Sequence, residues 1–242
     1  MATWLNKEKP TGDTLFDISL GCYANAFNVH KFGANYDIDI GSVPETVWTV
    51  GGLYPWVALT TAQTLYLIST NASDTGTIEI EGLDADYNFQ SESLTMAGLT
   101  ATTTASTYSR VFRMSYINAG ANAGTVTART ISGTGTVVAQ VDANVGQTLM
   151  AVYTVPNGYT GYMTSLDVSV DANKSSQFQV YSRKTGQPFQ IAHTTELSGT
   201  YITAFNSPLV MPAKTDIDMR VSLALSNNTR VSTNFDLVLI KD

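Results

Sequence analysis

The residues of this chain that could carry out chemistry are few, and their spacing matches no reaction centre. Cys22 is the single cysteine, and His30 and His193 are the two histidines. A cysteine nucleophile needs a base beside it and a local setting that ionises it, and no such motif surrounds Cys22. The sequence also lacks the Gly-x-Ser-x-Gly, His-Glu-x-x-His and phosphate-loop motifs. We therefore predict that the protein is not an enzyme, holds no cofactor, and buries Cys22 as a small apolar side chain.

Two pairs of aspartates are the candidates for a metal site. Residues at i and i+2 point to one side of an extended segment, and oxygen-rich loops suit Ca²⁺. The alternative is a turn role, because aspartate accepts hydrogen bonds from nearby backbone N–H groups, and the twelve-residue calcium loop is absent. We predict no bound metal ion, and the candidate ligands, if one is present, are Asp37, Asp39, Asp84 and Asp86.

A glycan-cleaving centre is a further alternative that the carboxylates raise. Such enzymes hold two carboxylates on opposite sides of a cleft. Glu79, Glu81 and Glu92 are the available residues, and nothing in the sequence places two of them in that way.

Aromatic and apolar residues near the N-terminus are the candidates for contact with a partner. Flat aromatic rings give a large contact area at a small entropic cost, so the loop around residues 47–56 could be a platform for a sugar or a protein. The alternative is that its tryptophans fill the end of a core. The predicted contact residues are Trp4, Leu5, Phe16, Phe27, Phe32, Trp48, Tyr54 and Trp56.

The elements that must position these residues are strands. In residues 216–225 apolar residues alternate with polar ones, with Ile217 and Met219 on one side and Asp218 and Arg220 on the other. Strand side chains alternate between faces, so this pattern predicts one packed face and one wet face. Similar short runs, separated by Gly, Asn, Asp and Ser, recur from about residue 46 to the end. The sequence therefore predicts an all-β protein.

The spacing of the strands suggests three regions. Residues 1–45 keep neither a helix nor a strand period, which predicts an extended N-terminal arm. Residues 46–132 read as a first antiparallel β-sandwich of the immunoglobulin-like kind. Residues 133–242 read as a second sandwich, similar to a jelly roll. The short Gly-rich segment 132–135 marks the boundary.

The composition excludes some partners. The net charge is −7 and the Lys and Arg residues form no run, so we predict no nucleic-acid binding. No stretch approaches the roughly 20 apolar residues that cross a bilayer, so we predict no membrane partner, and the N-terminus lacks a signal-peptide pattern. Charged residues make up only 14% of the chain. A surface rich in Thr, Ser and Asn suits burial against neighbouring subunits, because covering Lys and Glu costs more.

Six segments of the chain together resemble a family of structural proteins of tailed-phage particles. These segments are VHKFGANYDID (29–39), PETVW (44–48), GGLYPW (51–56), IEIEGLDADYN (78–88), RVFR (110–113) and GQTLMAVYTVP (146–156). The resemblance extends to about residue 170 and carries over no catalytic residue.

What the resemblance implies is a place in the virion. A compact β protein without a collagen-like or heptad stalk suits a capsid decoration, or cement, protein. We expect it to be made in the host cytoplasm and to bind the major capsid protein on the capsid exterior as a homo-oligomer, as a trimer, stabilising the shell. The alternative is a neck or tail fibre module, or an adhesin, that binds a host-surface glycan or protein.

Overall fold

The structure is a computed structural model that describes residues 11–117 and 120–242 of the chain. Strand accounts for 54% and helix for 4%, so the all-β prediction is confirmed. Trp4 and Leu5, two of the predicted contact residues, lie outside the described residues.

One short helix, a 3₁₀ turn and sixteen strands make up the described part of the chain. The helix is α1 (Thr14–Ser19) and the 3₁₀ turn is Trp56–Leu59. The strands are β1 (Ala26–Ile38), β2 (Glu45–Thr46), β3 (Tyr66–Ser69), β4 (Thr77–Leu83), β5 (Phe89–Thr95), β6 (Thr102–Thr103), β7 (Arg110–Tyr116), β8 (Val126–Arg129), β9 (Val137–Val141), β10 (Val152–Thr154), β11 (Tyr159–Val170), β12 (Ser176–Arg183), β13 (Gln190–Leu197), β14 (Thr200–Met211), β15 (Asp216–Ala224) and β16 (Thr229–Lys241).

The strands of the described residues form four antiparallel sheets. Sheet I has the order β1-β16-β11-β14, and sheet II has the order β10-β15-β12-β13 with β2 paired to β15. Sheet III has the order β6-β3-β8-β9, and sheet IV has the order β5-β4-β7. Apolar residues of sheets I and II share core 1, and those of sheets III and IV share core 2. Each pair of sheets therefore buries its apolar side chains together.

Strand pairing crosses the boundaries that the sequence suggests. β1, which lies in the predicted N-terminal arm, pairs with β16 from Ala26 to Ile38, so this part of the arm is an edge strand of sheet I. β9 lies beyond the predicted boundary at 132–135, yet it pairs with β8 in sheet III. The described part of the arm is thus integrated into a sheet, because β1 supplies hydrogen-bonding partners to β16 along nearly its whole length.

The described arm also contains helix α1. Asp13 begins the helix by accepting hydrogen bonds from the backbone N–H groups of Leu15 and Phe16. Ile18 packs with Ala26 and Val238, which holds the helix on sheet I. Among the described residues, no helix has the length and apolar character needed to span a bilayer.

The prediction of one packed and one wet face for β15 is wrong. Every residue from Asp216 to Val221 is buried, because β15 lies inside sheet II and both of its faces are covered. Beyond Val221 the register with β12 shifts, which indicates a bulge. The shift reverses the alternation, so Leu223 is exposed and Ala224 is buried.

Candidate functional site

The aromatic loop that the sequence offered as a contact platform is inside the molecule. Trp48, Tyr54 and Trp56 are only 3%, 4% and 6% exposed. Their rings meet edge to face, with centroids 5.2 Å apart for Trp48 and Tyr54 and 4.8 Å apart for Tyr54 and Trp56. As folded, these rings have no face left for a sugar or a protein, so their prediction as contact residues is corrected. They fill core 2 instead.

The loop leads to a buried carboxylate on sheet II. The indole Nε1 of Trp56 donates to Oδ2 of Asp218 at 2.8 Å, and Oγ1 of Thr46 donates to Oδ1 at 2.9 Å. Arg220 adds two donors to Oδ2, at 2.9 and 2.7 Å. Burial raises the pKa of Asp218, while these donors oppose that effect. The carboxylate is fully engaged in holding the loop.

A second buried carboxylate, Asp216, joins the two cores. Arg110 of sheet IV donates to its oxygens at 2.8 and 3.0 Å, and Thr154 donates at 2.7 Å. Arg183 donates to Oδ2 from Nε and Nη2, at 3.0 and 2.5 Å. Burial disfavours the charge on Arg110, but Asp216 outweighs it and raises the pKa of Arg110. One acceptor therefore binds guanidinium groups from two sheets.

The arginines of this network also stack on aromatic rings. Arg183 lies 5.5 Å from the centroid of Trp56 and 4.4 Å from that of Phe189. Arg220 lies 4.4 Å from the centroid of Phe189 and 4.4 Å from that of Tyr181. Cation–π contacts of this kind stabilise buried guanidinium groups. The network serves the packing of the two cores.

Sequence reasoning missed this network. A signal was present, because Asp216, Asp218 and Arg220 alternate within one apolar strand of a chain with few charges. By itself the pattern predicts that these charges form a solvated face, because the sequence of a single strand does not reveal what covers it. Their partners come from residues as far as 172 positions away.

Two of the candidate metal ligands use their carboxylates to accept hydrogen bonds from the backbone. Asp39 accepts a hydrogen bond from the backbone of Asn228, and Asp84 accepts from the backbone N–H groups of Asp86 and Asn88. Burial raises the pKa of Asp84, but the hydrogen bonds from Asn88 and Asp86 outweigh it, so its pKa is lowered. Asp37, like Asp86, is exposed. No group of three potential metal ligands occurs in residues 11–117 and 120–242.

The candidate glycosidase residues are likewise not arranged across a cleft. Glu92 accepts hydrogen bonds from the backbone of Ala105 and Ser106, which anchors the loop between β6 and β7. Glu81 lies 3.6 Å from Arg113. Each of these two carboxylates has a local partner that accounts for its position.

A serine, a histidine and an aspartate, the residue types of a catalytic triad, meet on the outer face of sheet I, which is the face opposite core 1. Their order differs from that of a triad. Asp236 accepts from Ser165 at 2.5 Å and pairs with Nδ1 of His30 at 2.6 Å. In a working triad the histidine lies between the other two and activates the hydroxyl. Here the aspartate lies between them, and among the described residues no histidine hydrogen bonds to Ser165. Cys22 is buried, and no histidine of the described residues hydrogen bonds to it.

The remaining predicted contact residues lie at the surface to different degrees. Phe16 of α1 and Phe27 of β1 are 53% and 47% exposed. Phe32 is half-buried and packs beside His30, with ring centroids 5.8 Å apart. Of the predicted contacts in the described chain, Phe16 and Phe27 are the two that a partner could reach most fully.

Comparison with known proteins leaves the family unassigned. No family model and no curated protein matches the chain. Among solved structures, the PBSX exported protein XepA is 9% identical, with 87% of this chain and 86% of that chain covered and a TM-score of 0.21. The infectious bursal disease virus Gx strain structure is 10% identical, with 90% and 72% covered and a TM-score of 0.26. These values are too low to establish a shared fold or function.

Proposed function

We propose that this protein is a structural component of a phage particle, and specifically a capsid decoration protein that binds the outside of the shell. The proposal starts from the sequence resemblance to tailed-phage virion proteins. It assigns the protein no reaction, no cofactor, no nucleic acid and no membrane. Its partners are the major capsid protein and further copies of the chain, in a trimer.

The observation that carries the proposal is an apolar patch at the N-terminal end of the described chain. We call it the α1 patch, and it consists of Leu15, Phe16 and Leu20, each between 41% and 53% exposed. Helix α1 is fixed to sheet I through Ile18 and through Asn28, whose amide donates to the carbonyl of Leu15 and to Ser19. An exposed apolar surface that is fixed in position is typical of a protein-binding site. The patch therefore supports contact with the shell through the arm.

A second surface supports contact between copies. β13 and β14 end their sheets, and each leaves one backbone edge without a strand partner among the described residues. Residues 190–211 contain a single acidic or basic side chain, Glu196, apart from His193. Monomeric proteins protect such edges with charges. The low charge of this hairpin, together with exposed Ile191 and Val210, suits burial in an oligomer.

We also propose that the two sheet pairs are two sandwiches, immunoglobulin-like for sheets III and IV and jelly-roll-like for sheets I and II. The support is that each pair shares one apolar core. An experimental structure tests this, because sandwiched sheets face each other about 10 Å apart. Sheets that meet only at their edges would contradict it.

The test of shell binding is a double substitution in the α1 patch, Leu15→Glu with Phe16→Glu. Charges on this surface have to be desolvated when a partner covers it, so we expect the number of copies bound per particle to fall by about tenfold or more. The measurement is quantitative mass spectrometry of particles depleted of the protein and then incubated with each variant.

The matched control is Leu99→Glu with Ile131→Glu, which places the same two charges at exposed apolar residues away from the α1 patch. The control should bind like the unaltered protein, and circular dichroism should show that all variants are folded. Unchanged occupancy for the folded double variant would refute the role of the α1 patch. Copy number separates the two positions in the particle: hundreds of copies indicate decoration, and a ring of about six or twelve indicates neck or tail.

A further inference from the structure

The outer face of sheet I, opposite core 1, carries a shallow trough of about 470 Å³ that crosses all four strands. The strand registers align its side chains in rows. In the row on one side, Ser165 and His30 both contact Asp236. In the row on the other side, Ser169 and Ser232 hydrogen bond to each other at 2.8 Å. These flanking rows use their polar groups internally.

The middle row differs from its neighbours. Asp167 faces Asn234 across β11 and β16, with Ile202 of β14 on one side and Phe32 of β1 on the other. Within the described chain, the carboxylate of Asp167 and the carboxamide of Asn234 have no hydrogen-bond or ionic partner. A carboxylate and a carboxamide with unused hydrogen-bonding groups thus lie between two apolar side chains.

A second hollow continues the trough past Tyr36. It has a volume of about 140 Å³ and shares Tyr36, Ser169 and Ser232 with the first, and Asp171 and Arg230 line its far side. Tyr36 is 51% exposed and lies between the two hollows. The surface is therefore elongated, with an aromatic ring near its middle.

The chemistry of the trough favours a polyhydroxylated ligand over a protein. A protein that covered this face would bury the unpaired Asp167 carboxylate, which is costly and is why charges are depleted at the centres of protein interfaces. A sugar ring offers hydroxyl groups around its rim and C–H groups on its faces. The hydroxyls can donate to Asp167 and exchange hydrogen bonds with Asn234, while the C–H face packs on Tyr36.

We propose that the trough on sheet I is a binding site for a neutral oligosaccharide, with Tyr36, Asp167 and Asn234 as its contact residues. The two hollows give it room for more than one sugar ring. The site does not use the α1 patch, so it is independent of the proposed attachment to a shell.

The test is saturation-transfer NMR of the full chain with three neutral hexasaccharides, maltohexaose, mannohexaose and chitohexaose. We expect at least one to bind. Tyr36→Ala and Asp167→Asn should each weaken that binding by about tenfold or more. The control variants are Tyr66→Ala, on β3 of sheet III, and Asp86→Asn, an exposed aspartate of the β4–β5 turn, and both should bind like the unaltered chain.

Three outcomes would overturn the proposal. The first is the absence of binding by all three sugars, and the second is binding that both trough variants retain. The third is a loss of self-association or of particle binding in Tyr36→Ala, which would make the trough a protein interface. Leu15→Glu with Phe16→Glu should leave sugar binding intact, so failure of the shell proposal and of this one can be told apart.

Discussion

Lys31 on the inner face of β1 is a buried amine between the two cores. Its ammonium group donates a hydrogen bond to the carbonyl oxygen of Phe112 on β7 and lies 5.9 Å from the centroid of that ring. Burial is the main cause that lowers the pKa of Lys31 to about 7, the nearby Arg113 contributes in the same direction, and Glu81 opposes the effect. Near neutral pH this amine therefore loses its proton in the folded protein but keeps it in the unfolded chain, where its pKa is about 10.4.

This difference predicts a stability that depends on pH. Between pH 7 and 9.5 the unfolded chain binds the proton that folded Lys31 has released, so raising the pH favours folding. We expect the free energy of unfolding of the unaltered protein, relative to Lys31→Met, to rise by up to about 1.4 kcal/mol per pH unit. Urea unfolding at several pH values in this range measures it.

The range stops at pH 9.5 because three buried tyrosines begin to contribute above it. Burial raises the pKa of Tyr54, Tyr108 and Tyr153, and the unfolded residue ionises near pH 10. Lys184→Met, at an exposed lysine, is the control and should run parallel to the unaltered protein. A difference between the unaltered protein and Lys31→Met that stays constant with pH would contradict the assignment.

At the scale of elements, β1 depends on a close approach to its neighbours. A Cβ atom at Gly33 would lie 2.4 Å from the backbone nitrogen of Ala151 and 2.4 Å from the backbone oxygen of Val47. Those two atoms form a hydrogen bond of 3.0 Å. The strand can therefore pack against this bond only where it has no side chain, which fixes the position of Gly33 along β1.

Gly33→Ala should accordingly destabilise the protein. The added methyl group meets backbone atoms, which cannot move aside as a flexible side chain does, and we expect a loss of about 1–3 kcal/mol. Gly41→Ala is the matched control, because a Cβ there would meet no atom within 4 Å. Denaturant midpoints of the two variants decide the point, and equal midpoints would show that β1 can shift to accept the methyl group.

At the scale of the whole molecule, the two cores are connected by shared elements and by ion pairs. Val152 of β10 belongs to core 2, and its neighbour Tyr153 belongs to core 1. Phe112 of sheet IV reaches into core 1. The Arg110–Asp216 pair spans the same junction with side chains that are 8% and 3% exposed. Loss of order in one core therefore removes contacts from the other.

Asp216→Asn should weaken the whole molecule. The variant keeps the shape of the side chain but leaves the charges of Arg110 and Arg183 without their carboxylate, and breaking a buried pair costs about 3–5 kcal/mol. We expect the unaltered protein to unfold in one transition, with tryptophan fluorescence and far-ultraviolet circular dichroism in agreement. The variant should have a lower midpoint by both probes.

Asp86→Asn serves as the control, because Asp86 is exposed in a turn and surface changes alter stability by about 0.5 kcal/mol or less. A midpoint of Asp216→Asn equal to that of Asp86→Asn would mean that the ion pair adds nothing to the junction.

Local patterns in the sequence were sufficient to predict the class of fold and the positions of several turns. Alternation predicted the strands, because the side-chain period of an extended backbone depends on the chain alone. The turn role of Asp84 is predictable from the sequence, because its carboxylate accepts hydrogen bonds from residues only two and four positions away. The low charge of residues 190–211 was also visible at this level.

The tertiary structure alone decided which faces are covered. In the sequence of β15 one face is apolar and the other is polar, which predicts that only the apolar face is buried. Both faces are buried in the structure, because Trp56 and Arg110 reach Asp218 and Asp216 from distant parts of the chain. The same long-range packing placed β1 beside β16 and made the predicted aromatic platform a part of core 2. Periodicity belongs to the single strand, whereas burial is a property of the surfaces that meet it, and no local pattern records those partners.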